Sequence, residues 1–240
     1  MAAMRSEALL RAGKLGEAIQ VLGAEMRDAP LDVKRRVFLF ELLCYAGEYD
    51  RAQKHLDYLA NAGQDAAMGA LVYHAALHAE RTRQEMFAGG GFPAEPAEAE
   101  PEFAGTLNGK PFAALEDADP RIRGRLEVFA GGTYLWIPWH QIATVEIPPP
   151  KRLRDLLWAP ALVRTGPAFR GTELGEVLLP VISPLSWRHA NDNVRLGRMT
   201  VWEDSGQGFA LPFGQKMLLV DEEEIPVLEA RKIEIQPAAS

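Results

Sequence analysis

His74 and His78 stand four residues apart, a spacing that puts two imidazoles on one helix face and lets them share a metal ion. Glu80 follows the pair instead of lying between the two histidines, as a zinc-protease helix requires, and no third ligand is evident. The pair therefore reads as two histidines on a polar face. Asp117 and Asp119, just ahead of Pro120 and Arg121, can serve as a carboxylate pair for a metal or for proton transfer. Aspartate before proline also starts a turn or caps a helix, and that structural reading is preferred. Ser183, Ser186 and Ser205 have no base at a motif spacing, and His140 falls in the turn after Pro138. The glycines at 89–91 lack the Lys and Ser/Thr that complete a phosphate loop. Cys44 is the single cysteine, so no intramolecular disulfide forms, and its place on an apolar helix face predicts a buried, inert thiol. The expectation is a protein with no catalytic residues, metal or cofactor.

The residue types that remain suit binding. Lys151, Arg152 and Arg154 form a basic cluster after three prolines, which either is a solvated helix start or docks an acidic partner surface. All five tryptophans lie beyond residue 135. Most should be core, yet tryptophan is also favoured as an interface anchor.

The elements that carry these residues show two regimes. Leu10, Gly13, Leu15, Ala18 and Leu22 recur 34 residues later as Cys44, Gly47, Tyr49, Ala52 and Leu56, with Pro30 between the copies. That period, with Gly closing one helix and Ala packing the next, is the signature of tetratricopeptide-type helical hairpins, which build protein-binding surfaces. Five helices are predicted in residues 1–87. The second carries a single stripe of Leu15, Ala18, Ile19, Leu22 and Met26. The third is apolar nearly all round and should be sandwiched. The fifth should be capped by Asp65 and is rich in Ala and Gly. Two repeats and one extra helix are too few to stand alone, so this half should lean on the rest of the chain.

Residues 88–103, with Pro93, Pro96 and Pro101 among Gly, Ala and Glu, have linker composition. Beyond them the period shifts towards two. Residues 125–130 and 133–138 flank Gly131–Gly132, a hairpin signal. Further strands are expected at 142–147, 161–164, 176–182, 198–202, 216–220 and 233–235, with a short amphipathic helix carrying Leu153, Leu156 and Leu157. The predicted class is α+β: tetratricopeptide-like helices over 1–87, the linker over 88–103, and an antiparallel, small barrel-like β-rich domain over 104–240.

The net charge of −7 is uneven. Residues 1–87 carry 11 basic and 12 acidic side chains, 88–103 carry four glutamates alone, and 104–240 carry 15 basic and 17 acidic. Neither folded part should attract nucleic acid. No apolar run approaches the ~20 residues of a membrane span, and a cytoplasmic protein is expected.

With both halves read, the sequence resembles the ImpE/TagJ (SciE-like) family of type VI secretion accessory proteins. The matching stretches are residues 38–52, 105–112, 117–121, 126–129, 134–138, 154–158, 179–181 and 196–202, in order, within a span of roughly 9–236. Ser183–Pro184 stands where the family pattern has Tyr-Pro, and the linker is long and Pro/Glu-rich. The resemblance implies a non-enzymatic cytoplasmic accessory that binds a helix of the small contractile-sheath subunit and modulates recruitment of the ClpV-type AAA+ ATPase. The alternative is a general tetratricopeptide-type adaptor or chaperone for another client. Helix-in-groove recognition is expected on the C-terminal half or at the junction, with Tyr134, Trp136, Trp139, Trp158 and Trp202 lining the groove and Arg154 and Arg198 at its rim.

Overall fold

The two glycines that define the repeat do the same mechanical job. A computed structural model describes residues 5–61, 64–93 and 101–237, with the side chains of 64–68 and Pro237 left out. Helix α1 (Arg5–Arg11) ends at Gly13 and α3 (Val33–Tyr45) ends at Gly47, both left-handed at φ +74° and +70°. After each glycine the next amide reaches back five residues, Lys14 N to Leu9 O at 3.0 Å and Glu48 N to Leu43 O at 2.9 Å. This closure satisfies orphan carbonyls and turns the chain into α2 (Leu15–Asp28) and α4 (Tyr49–Ala60). Asp32 caps α3 by accepting from the Arg35 amide at 3.1 Å.

The predicted stripe of α2 is buried in full, while α3 is enclosed only over its second half: Leu39 to Ala46 are buried, whereas Val33 is 42% exposed. Helix α5 (Gln64–Gly89) begins one residue ahead of Asp65, whose capping role lies outside the described residues, and runs past the expected end at 87. The expected linker 88–103 meets structure at both ends: α5 runs to Gly89, Phe92 packs 5.2 Å from Phe87 and stacks 6.3 Å from Trp136, and Phe103 already opens the first strand. Residues 94–100 lie outside the described residues.

The C-terminal half is antiparallel throughout. The first strands are β1 (Phe103–Leu107), β2 (Lys110–Phe112) and β3 (Leu115–Asp117). The predicted hairpin is β4 (Arg125–Ala130) with β5 (Thr133–Pro138), joined by Gly131 and Gly132, both at positive φ as a two-residue turn of this type requires. Then come β6 (Ile142–Glu146), a 3-10 turn (Leu153–Leu156), β7 (Trp158–Thr165), β8 (Gly175–Pro180), the single turn α6 (Asp192–Arg195), β9 (Thr200–Asp204), β10 (Ala210–Gly214), β11 (Met217–Val220), β12 (Glu223–Pro226) and β13 (Lys232–Pro237).

Eight strands share one sheet in the order β2-β1-β13-β6-β7-β8-β4-β5, three form β12-β11-β3, and β9 and β10 pair as a hairpin. Among the described residues no pairing joins β2 to β5, so backbone pairing does not close the large sheet. One apolar cluster belongs to the sheets alone. The other runs from the helices into Phe129, Leu157, Trp158, Ile182 and Leu196, so the helices do lean on the second half.

Candidate partner-binding site

The side chains that could have carried chemistry are dispersed. His74 bonds Gln53 across 2.7 Å and lies 3.6 Å from Asp57, while His78 is exposed. Asp119 makes a two-point pair with Arg121 at 2.6 and 2.8 Å and, with Asp117, organises the turn through accepted backbone amides. No group of three or more His, Cys, Asp and Glu suited to a metal occurs among the described residues. Ser186 Oγ donates to the Ser183 carbonyl at 2.6 Å and accepts from Gly214 N at 2.8 Å, spanning a turn. Cys44 is buried, and burial holds its thiol well above the ordinary range, so it stays protonated.

The expected groove residues do not gather in one place. Trp139 is fully enclosed in the sheet core. Trp158 is buried at the junction and donates its indole N–H to Glu80 at 2.9 Å. Neither offers a face to a partner, because each stands where the sheet or the helices cover it. Tyr134 donates to Glu127 at 2.5 Å and accepts from the Trp136 indole. Trp136 is half-buried under Phe92, with the Arg125 guanidinium 5.4 Å from its ring. Arg198 donates to the Leu10 and Arg11 carbonyls at 2.7 and 3.1 Å, capping the C-terminus of α1. Trp202 is 39% exposed on β9. Arg154 lies across the Tyr73 ring at 4.3 Å.

At the junction of the halves sits a buried ionic network. Arg83 of α5 makes a two-point pair with Glu127 of β4 at 2.6 and 3.0 Å and reaches Glu80 at 3.3 Å and the Ile182 carbonyl at 3.0 Å. Lys216 pairs with both Glu127 and Asp117. Burial resists charging Glu127, but the adjacent Arg83 and Lys216 overcome it and hold its carboxyl down at about 2. Burial wins at Asp117, which is pushed up to about 6 against the attraction of Lys216. Gln84 extends the network by accepting from Leu185 N at 2.9 Å and from the Trp187 indole at 3.1 Å. No spacing signal points to this set, because its members are scattered along the chain: Asp117 and Lys216 pair across 99 residues and Gln84 meets Trp187 across 103.

An open apolar concavity lies on the helical half. Val33, Val37 and Phe40 of α3, Leu56 and Leu59 of α4, and Gly69, Ala70 and Tyr73 of α5 enclose a concavity of about 180 Å³ with Arg154 at its edge. The predicted two-sided apolarity of α3 locates one wall of it. The open end of that helix was unforeseeable, because periodicity says which face is apolar and not what covers it.

The ImpE protein family model matches residues 109–234. The chain is 33% identical over 267 aligned residues to the type VI secretion system accessory component TagJ of Pseudomonas aeruginosa, covering 98% of this chain and 92% of that protein. A crystal structure of a Vibrio parahaemolyticus protein superposes with a TM-score of 0.84 at 21% identity, covering 97% of each chain, and shares the fold. No described helix is long and apolar enough to cross a membrane. The chain thus belongs to the ImpE family, that of the type VI secretion accessory component TagJ.

Proposed function

We propose that this chain is a non-enzymatic cytoplasmic adaptor of a bacterial type VI secretion system, binding a helix of the small contractile-sheath subunit and modulating recruitment of the ClpV-type AAA+ ATPase. The observation that carries the reading is the 33% identity to an accessory component across 98% of the chain. The geometry agrees with it. Asp119 and Ser186 are engaged in turns and Asp117 in a turn and the junction, while a concave apolar surface stays open on α3, α4 and α5. Of the residues expected to touch the partner, Arg154 borders the concavity with 14% of its side chain accessible, and Trp202 is 39% exposed on β9.

The test is fluorescence anisotropy of the purified protein against helical peptides tiled across the small sheath subunit. One amphipathic segment should bind saturably at micromolar affinity or better. Silence across the set, with the protein shown to be folded by circular dichroism, refutes the sheath reading and moves the search to another client.

A further inference from the structure

We infer that the concavity between α3 and α5 is the docking site, and that its occupant is an amphipathic helix with one large apolar anchor and an acidic residue about one turn away, paired with Arg154. This deepens the adaptor reading and rests on it for biological context, but the geometry is independent of the partner's name.

Three observations select that occupant. The first is size. A cavity of about 150 Å³ holds a benzene ring, so the roughly 180 Å³ here accepts one Leu, Met or Phe side chain. Its floor is aromatic, with Phe40 and Tyr73 tilted at 6.1 Å. A Cβ added at Gly69 would meet nothing within 4 Å among the described residues, so this wall leaves room for an incoming side chain.

The second is the backbone. The apolar walls are helices, whose backbone groups beyond the end turns are bonded within the helix, so no strand edge is offered. An extended peptide laid here would bury unsatisfied backbone groups, whereas a helix satisfies its own.

The third is charge. Arg154 Nε is buried without a hydrogen bond among the described residues. Its carboxylate neighbour Glu41 stands 3.9 Å away, beyond hydrogen-bond reach. Burial, with the nearby Asp155 charge, pushes Glu41 up to about 7, so it neutralises Arg154 only in part. Arg152 and Lys151 are exposed just ahead of it, and Asp155 is engaged by their two backbone amides. This bank of the concavity therefore favours an acidic side chain.

The experiment displays a library of amphipathic helices, randomised on the apolar face and at flanking charged positions, and selects against the full chain. Enriched binders should share one Leu, Met or Phe and a Glu or Asp three or four residues away. Their affinity should fall at least tenfold on Gly69→Phe, which fills the concavity, and Arg154→Glu should switch the preferred charge to Lys or Arg. Circular dichroism checks that Gly69→Phe folds, and the Arg154→Glu charge switch gives an independent readout. Failure to enrich, or binders indifferent to both substitutions, overturns the site. Sheath-peptide binding that survives both substitutions also overturns it while leaving the adaptor reading standing. Selected binders that obey both substitutions, alongside silent sheath peptides, uphold the site and refute the sheath as partner.

Discussion

Replacing Arg83 with methionine should destabilise both halves of the protein at once. The side chain is 1% exposed, and its guanidinium serves Glu127, Glu80 and a backbone carbonyl. Removing one partner of a buried pair costs about 3–5 kcal/mol, because the other charge stays buried. Here Lys216 remains on Glu127, and Glu80 keeps its bonds from Trp158 and Gln84, which points to the lower end. A loss of about 3 kcal/mol corresponds to a drop of roughly 6–12 °C in Tm for a chain of this size. Glu127→Gln added to Arg83→Met should cost less than the sum of the single changes, by about 0.5–3 kcal/mol. The assay is urea unfolding followed by tryptophan fluorescence, which reports the β-rich half that holds all five tryptophans, and by far-ultraviolet circular dichroism, dominated by the helices. Both transitions should move together, since Arg83 ties α5 to β4. A loss under about 1 kcal/mol, strict additivity, or movement of one probe alone refutes the reasoning.

Three further outcomes are expected. Gly47→Ala should destabilise more than Gly13→Ala in thermal denaturation. Both are left-handed, but the new Cβ at 47 lands 2.4 Å from the Trp187 ring, whereas at 13 it meets the amide end of Asn193, which can rotate. Arg198→Ala should cost about 1–2 kcal/mol and speed amide exchange at the end of α1, with partner affinity unchanged, as suits a cap rather than a contact. Glu41 titrates near 7 when folded against 4.5 unfolded, so its contribution is fully present below about 4.5 and lost as pH rises through 7. Glu41→Gln should therefore gain roughly 2 kcal/mol on the wild type between pH 5 and pH 8 in urea midpoints, and an unchanged difference refutes the shift.

Much of the local structure was readable from residue order. The Gly-then-Ala period located two like helix closures, since a left-handed residue is needed where such a helix turns back. Gly131–Gly132 marked a hairpin whose strands keep the predicted bounds, because only a two-residue turn with positive φ matches strand twist there. The matched stretches identified the family. What residue order did not reveal are relations between distant segments. Strand β1 pairs with β13, Arg83 meets a glutamate 44 residues away, and Trp139 and Trp158 are covered while Trp202 is not. Periodicity assigns each element an apolar face, but a face is silent about its neighbour. The open end of α3 and the burial of the ionic junction were therefore decided only when the helices packed on the sheet.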